Sequence, residues 1–564
     1  MINTEKIKNY IKEHTWIDFA LITIIIIVFA LLFAKHMQYP LIDKGREFFL
    51  SEQILKGKIP FKDITMIYFP FAYYINALIF KFLGVSIDSL VISQAFFCIG
   101  FAGCFYLLAK EFLSRSTSLL LTILIISSCI FSKIDIFSYI MPYSYAAAYG
   151  YMSFVICAYC LVKLFKTDNI KFAYFASLAA GFCLSCKMEF ASVLLLVFIT
   201  LIFYKKLRFT QYLNIILLIS IFPILLISIL HYQGITFEEI KRALEFARKF
   251  ATSETMTYFL SDAGMYPLEM NLKLKIILRQ TAFIINIAIL SFVTFLIYKK
   301  YNFKMVFVFA SIYIWYVLIN NTSILYCWYG LPILMLFIFC IKIKNLYLED
   351  KAGLILILGA IFISQRVFFG LNMVAYGTYP LPLLLLTLCV ILNRFCPKQI
   401  MDISSKHIMN YILIILIGLY SCSLWHHCKD FAKHKITSDK GTIYVTKVSR
   451  DMLRLSLKYI NSNIDKNKKI LVIPEGNMLN FLTDRSVDLH CFMMDKFYYA
   501  AYGEKKSKDI INKADNDYIV FIQAEDIRNA AELPKIYFKN YTLKKKFQND
   551  EEKYSIKFLE RNKK

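Results

Sequence analysis

Apolar residues in this chain gather into runs of about twenty, the length an α-helix needs to cross roughly 30 Å of hydrocarbon. In order, the runs fall near 16–34, 90–109, 116–132, 145–162, 172–186, 188–204, 211–230, 277–298, 303–320, 324–341, 352–369, 373–393 and 408–425, about thirteen predicted spans. The apolar stretch 68–84 is different in kind. Its Pro70, its aromatics Phe69, Phe71, Tyr73 and Tyr74, and its polar Asn76 predict a helix lying along the membrane surface. Beyond Trp425 the pattern turns polar and charged. There 469–474 and 517–522 read as buried strands, 448–460 as a helix, and 541–547 with 554–559 as a hairpin. The pattern therefore predicts an α-helical polytopic membrane unit over residues 1–429 and a small α/β domain over 430–564.

Composition agrees: 58% of residues are apolar and the mean hydropathy is +0.54. A net charge of +25 in a soluble protein would point to nucleic acid, but here the basic residues have another use. They concentrate in alternate short loops, at Lys6, Lys8 and Lys12, then Lys110 and Arg115, Lys163 to Lys171, Lys205 to Arg208, Lys299 to Lys304, Lys342 to Lys351 and Arg394 to Lys406. The loops between hold little beyond Lys133, Lys187 and Arg366, so the positive-inside rule sets the N-terminus in the cytoplasm and sets nucleic acid aside as a partner. Counting 68–84 as a crossing would scramble this asymmetry. No small-residue cleavage site follows the first span, which predicts a retained anchor. The outer face then carries the loop 35–89, a loop around Asp135, the loop 231–275 and the whole C-terminal domain. Most of the fourteen cysteines lie in spans, including Cys157 and Cys160, and Cys183 and Cys186, whose spacing imitates a zinc ribbon but whose surroundings make them small buried hydrophobes.

Within the first outer loop, 43–56 reads as a helix closed by Gly57, with Asp43 at its N-cap and Glu47 one turn on along the same face. A carboxylate at that position ordinarily caps the helix amides. Two acids on one face at a membrane surface can also hold a general base, bind a divalent cation, or pair with Arg46 and neighbouring lysines; spacing alone leaves all three open. In the loop 231–275, Thr236-Phe-Glu-Glu239 predicts a capping box at the start of an exposed helix.

A resemblance begins at Asp43. The stretch Asp43-Lys-Gly-Arg-Glu47, with Gln53 to Gly57, Pro60 to Asp63 and Pro70 to Gly84, resembles the first periplasmic loop of GT-C-type glycosyltransferases, in particular bacterial relatives of protein O-mannosyltransferases and of the lipid A aminoarabinose transferase. Further similarity lies in Pro142-Tyr-Ser-Tyr145 with Tyr149-Gly150, Lys187-Met-Glu189, Tyr376-Gly-Thr-Tyr-Pro380, Val472-Ile-Pro-Glu-Gly476 and Asn480 to Arg485, in family order along most of the chain. One departure is Tyr68-Phe69-Pro70, where the aminoarabinose transferase type shows Lys-Pro-Pro.

The resemblance implies a GT-C fold in a bacterial inner membrane with a periplasmic C-terminal domain, and transfer of a sugar from a polyprenyl-phosphate donor to an acceptor hydroxyl, with inversion. It implies Asp43 as general base, Asp135 as a further acid of the site and Lys187 as a cation for the donor phosphate; Glu47 joins them as the second acid on the Asp43 helix face. Arg366 matches no motif but closes its span on the same side, where its forked guanidinium suits a phosphate. Protein, lipid A and polysaccharide all stay open as acceptors, as does a divalent cation held by Asp43 with Glu47 or Asp135. The reading from another class is a multi-pass transporter or lipid-handling protein; the scarcity of ionisable groups deep in the spans and the absence of a visible internal repeat stand against it.

Overall fold

The structure, a computed structural model, describes residues 15–37, 39–66, 68–132, 137–256, 330–365, 378–395, 399–400, 403–524, 538 and 540–562. The predicted spans 277–298 and 303–320, and the candidates Asp135 and Arg366, lie outside these residues.

The first span is helix α1 (Trp16–Phe33), which reaches about 27 Å at 1.5 Å per residue. Ile22 and Ile26 face inward, while Trp16, Ile24 and Leu31 point outward, which suits only an apolar surrounding. A two-residue strand, β1 (His36–Met37), then leads into α2 (Lys44–Leu55). Helix α3 (Phe71–Leu83) is thirteen residues long, too short to cross. It buries Tyr73, Asn76, Ala77 and Phe80 and exposes Leu78, Phe82 and Leu83, the two-faced pattern read from the sequence.

Helices α4 (Ile87–Lys110) and α5 (Arg115–Ile125) begin at serines, Ser86 and Ser114, whose hydroxyls accept from amides three residues on. Helix α5 runs on through a π-helical turn to Ile130. Asp18 of α1 ties these helices together. It is buried and takes a forked bond from Arg115, Nε to Oδ2 at 2.6 Å and Nη2 to Oδ1 at 2.8 Å, plus a bond from the Tyr106 hydroxyl. The bundle continues with α6 (Tyr145–Thr167), α7 (Lys171–Cys186), α8 (Ser192–Tyr204) and α9 (Phe209–Tyr232). Helix α10 (Phe237–Ala251) opens on the predicted capping box: Thr236 N–H donates to Glu239 Oε2 at 2.7 Å and Glu239 N–H to Thr236 Oγ1 at 3.3 Å.

Helix α11 (Gly330–Glu349) extends past the predicted end of the 324–341 span. Lys342 and Lys344 read as loop charges, but long lysine stems can lie along a helix while their charges reach its end. The break comes at Asp350, which accepts from Gly353 N–H at 2.9 Å to start α12 (Lys351–Ile363) and pairs with Arg394 at 2.5 Å on α13 (Leu381–Phe395). A short ribbon, β2 (Gln399–Ile400) and β3 (Ile403–Ser404), leads to α14 (Ser405–His426). Among the described residues five helices, α1, α4, α6, α9 and α14 with the π-turn that extends it to Phe431, are long and apolar enough to cross a membrane, and shorter apolar helices accompany them. The chain is a multi-pass membrane protein.

After the bundle come β4 (His434–Ser438) and β5 (Gly441–Val445), a hairpin on which β1 lies parallel to β5, so the first loop contributes a strand to this sheet. Then follow α15 (Lys447–Asn463), the fully buried β6 (Ile470–Ile473), α16 (Asn477–Thr483), α17 (Lys496–Tyr502), α18 (Glu504–Lys513), β7 (Tyr518–Ala524), β8 (Tyr541–Asn549) and β9 (Tyr554–Arg561). The four-stranded sheet runs β6-β7-β9-β8, with β6 parallel to β7 and the other neighbours antiparallel. The strands, helix and hairpin predicted here are all present; the helices α16, α17 and α18 and the β4–β5 hairpin are additions of the structure.

Helix α2 is pressed between this sheet domain and the bundle. Phe48 and, from α3, Phe80 pack on Phe481 at centroid distances of 5.3 and 6.3 Å, Lys56 bonds Asp484 at 2.9 Å, and Lys440 pairs with Glu52. Gly45 makes the approach possible, because a Cβ there would lie 2.2 Å from the Met478 amide nitrogen on α16.

Candidate functional site

Asp43 is the N-cap of α2, as predicted, but its carboxylate makes no capping bond. The backbone explains this. Asp43 has φ 56° and ψ −59°, and Lys44 N–H donates to Ile42 C=O at 2.6 Å, which makes Asp43 the centre of a γ-turn of the rare positive-φ kind. Such a conformation costs on the order of 1–3 kcal/mol and persists only where neighbours hold it. Two groups do so. Asp43 N–H donates to Glu475 Oε1 at 2.8 Å, and Arg46 Nη2 donates to Asp43 Oδ1 at 2.8 Å. The turn swings the carboxylate off the helix amides and leaves it about a quarter exposed, with Arg46, mostly covered, and the buried Glu475 behind it.

Glu47 shares the face but not the exposure. Its Oε1 accepts from the Tyr73 hydroxyl at 2.7 Å and its Oε2 from Tyr145 N–H at 2.9 Å, at the first turn of α6, where helix amides favour an anion. Arg46 Nε lies 3.9 Å away. Burial pushes the Glu47 carboxyl above the usual carboxylate range, against the pull of Arg46 and of the two hydrogen bonds. Burial likewise opposes the Arg46 charge, but Asp43, Glu475 and Glu47 around it raise its pKa further, so it stays a cation.

Lys187 follows α7 in an extended conformation and is buried. Its ammonium donates to the Tyr143 hydroxyl at 3.4 Å, lies 3.7 Å from Glu189 Oε1, and faces the rings of Tyr68 and Tyr143 at 4.8 and 5.3 Å. Tyr143 stands two residues before the amide that binds Glu47. The start of α6 thus joins the Asp43 and Lys187 ends of the site. Tyr143 also packs on Tyr379, which stacks on Tyr139 and Tyr151 at 5.3 and 5.0 Å and accepts at its carbonyl from the Tyr139 hydroxyl at 2.6 Å. The separate motifs at 43–47, 142–145, 187–189, 378–380 and 474–476 therefore converge at one end of the bundle.

The sheet domain closes the other side. Pro474 C=O accepts from Met494 N–H at 3.0 Å, and the buried Asp495 caps α17 by accepting from Phe497 and Tyr498 N–H at 3.0 and 2.8 Å. Burial pushes Glu475 up to about 8 and Asp495 to about 6, the Asp43 charge adding to both. By contrast, Asn480 and Arg485 serve the domain itself, bonding the carbonyls of Ile470, Thr483 and Ile464. Helix α10 leans on α17 through Phe246 on Tyr502 at 4.5 Å and Phe250 on Tyr498 at 5.4 Å. Among the described residues no three His, Cys, Asp or Glu side chains converge as a metal centre, and both Glu47 oxygens already accept hydrogen bonds.

Sequence reasoning named Asp43, Glu47 and Lys187 but gave Glu475, Asp495, Tyr73 and Tyr143 no role. Glu475 carries a legible signal all the same: it follows a buried parallel strand, and groups just beyond the carboxyl ends of such strands face ligands.

No protein-family profile and no curated protein matches the chain. Solved structures do. The crystal structure of ArnT from Cupriavidus metallidurans bound to undecaprenyl phosphate is similar at 10% identity and TM-score 0.52, over 96% of this chain and 97% of that one. Its apo state gives TM-score 0.52 at 9% identity over the same shares. The archaeal oligosaccharyltransferase AglB from Archaeoglobus fulgidus, in complex with an inhibitory peptide and a dolichol-phosphate, overlaps more loosely, with TM-score 0.46 and 12% identity over 96% of this chain and 74% of that one. Along nearly its whole length, then, this chain has the GT-C fold of ArnT, the aminoarabinose transferase type that its sequence resembles.

Proposed function

We propose that this protein is a glycosyltransferase that moves a sugar from a polyprenyl-phosphate donor to an acceptor hydroxyl on the outer face of the membrane. The observation that carries the reading is the Asp43 turn: a carboxylate at a predicted cap position is held off the helix in a strained backbone and presented to the outside, paired with Arg46. Strain of this kind collects where chemistry needs a group in one place. That the structure with the same fold contains undecaprenyl phosphate supports the lipid-linked donor.

In the proposed reaction Asp43 takes the proton from the acceptor hydroxyl as its oxygen attacks the anomeric carbon. The bond from that carbon to the phosphate oxygen breaks, and polyprenyl phosphate departs with the electron pair, so the sugar inverts. Arg46 holds Oδ1, and among the described residues no hydrogen bond falls on Oδ2, which leaves it to receive the proton. Lys187 meets the charge developing on the leaving phosphate, a use for which a fixed cation at the edge of the apolar bundle is suited. The Tyr68 ring stands in sequence where the aminoarabinose transferase type shows a lysine, and it faces Lys187 at 4.8 Å, backing that ammonium with an aromatic face. Glu47 acts as a positioning group, fixing Tyr73 and the start of α6. Asp135 as a further acid and Arg366 as a second phosphate-binding cation enter on sequence grounds alone. A divalent cation, if used, would take Asp43 and draw its other ligands from outside the Glu47 pocket. The charge pattern supports a cytoplasmic N-terminus and a C-terminal domain on the outer face, and the resemblance supports a bacterial inner membrane with that face periplasmic.

The test is to incubate purified protein with a panel of radiolabelled polyprenyl-phosphate sugars and follow release of polyprenyl phosphate. Release from one donor establishes the reaction class and names the sugar. Binding of every donor with turnover of none would favour the transporter or lipid-handling reading.

A further inference from the structure

One buried carboxyl group at the site belongs neither to the first loop nor to the bundle. Glu475 lies at the end of β6, is 3% exposed, and follows Pro474, whose carbonyl is bonded to Met494 N–H. A buried carboxyl group is costly unless it is bonded, and the ordinary expectation is that its own domain supplies the partners. Among the described residues this one has none there. Its side chain accepts from Asp43 N–H at 2.8 Å and lies 3.6 Å from Arg46 Nη1, both in the first loop and more than 400 positions away in sequence. The amide it binds is that of the residue with the strained positive φ.

We infer that Glu475 is a positioning residue for Asp43: the C-terminal domain holds the γ-turn at Asp43 through this one carboxyl oxygen, and the reaction centre is incomplete without that domain. The inference rests on the transferase reading of Asp43. Without Glu475 the Asp43 amide has no acceptor in a buried setting, and the backbone relaxes toward an ordinary N-cap, which returns the carboxylate to the helix amides. Neighbouring groups make glutamine a close stand-in. Burial and the Asp43 charge push the Glu475 carboxyl up to about 8, with Asp495 and Arg46 also facing it, and an amide oxygen reproduces the acceptor with little change of shape.

The experiment compares full-length wild type, Glu475→Ala and Glu475→Gln by donor turnover, by undecaprenyl phosphate binding and by hydrogen–deuterium exchange of the peptide containing Asp43. For Glu475→Ala the expected results are a kcat lower by about 10- to 100-fold, a misplacement effect. Donor KM and lipid affinity stay within about twofold, and exchange at the Asp43 amide is about tenfold faster. Glu475→Gln stays close to wild type in all three. A Glu475→Ala variant with wild-type kcat overturns the inference, as does one that loses lipid binding while keeping kcat, or a glutamine variant that exchanges as fast as alanine. Should wild type turn over no donor, the transferase reading falls by itself and exchange alone decides: unchanged protection of Asp43 in Glu475→Ala overturns the inference, and faster exchange sustains it.

Discussion

Replacing Gly45 by alanine tests the seam between α2 and the C-terminal domain without touching any charged group. A Cβ at this position meets Met478 N at 2.2 Å and Met478 Cα and Cβ at 2.7 Å each, and ordinary contact begins at 3.4 Å. The obstacle is backbone, so no rotamer change relieves it, and α2 and α16 must part by about 1 Å. That displacement takes the Asp43 N–H to Glu475 contact from 2.8 Å to about 4 Å, beyond hydrogen-bond reach. Shifts on the order of 1 Å in a reacting group cost about 10²-fold in rate. Alanine itself favours helix over glycine by about 1 kcal/mol, so helix propensity works against a loss, not toward one. Gly45→Ala should therefore lower donor turnover by about two orders of magnitude while the protein still folds and binds undecaprenyl phosphate. Gly100→Ala, where a Cβ meets nothing within 4 Å, is the control expected to be silent. Turnover of Gly45→Ala within about twofold of wild type would refute the coupling of this seam to the site.

Two further outcomes follow from the charges. Lys187→Gln should weaken undecaprenyl phosphate binding by about 10- to 100-fold, the worth of a charged hydrogen bond of about 1.5–3 kcal/mol, with Lys187→Arg recovering part of it by isothermal titration; equal affinity in all three would remove Lys187 from the phosphate site. The raised pKa of Glu475 means that, between the unfolded value near 4.5 and the folded value of about 8, the folded protein keeps a proton the unfolded chain has lost. Stability from this group is thus fully present below the lower value and falls as pH rises to the higher one. Glutamine does not titrate, so the melting temperature of wild type should fall steadily relative to that of Glu475→Gln from pH 5 to pH 8 and then level off; a wild type that gains on the glutamine variant over that range contradicts the assignment.

The amphipathic α3, the buried strands β6 and β7 and the capping box of α10 were legible because each is set by residues close in sequence. The Asp43 position was legible too, as an N-cap. What it does there was not, since the γ-turn depends on Glu475, 432 residues away, and no local pattern encodes that bond. Strand β1, two residues long, carries no periodicity of its own and exists only because β5 offers an edge. The end of α11 was misplaced because lysines at 342 and 344 look like a loop when they are a helix end. Helical spacing sets Glu47 beside Asp43 on one face, and only the fold reveals that Tyr73 and Tyr145 occupy both its oxygens.

The most direct measurement is the kinetics of Asp43→Asn beside wild type, on the donor that the panel identifies. Asparagine keeps the shape and the Arg46 neighbourhood but cannot take a proton. The account predicts donor affinity within about twofold of wild type and a kcat lower by about 10²- to 10⁴-fold, the usual worth of general-base help. An Asp43→Asn variant that folds, binds donor and turns it over at the wild-type rate would contradict it.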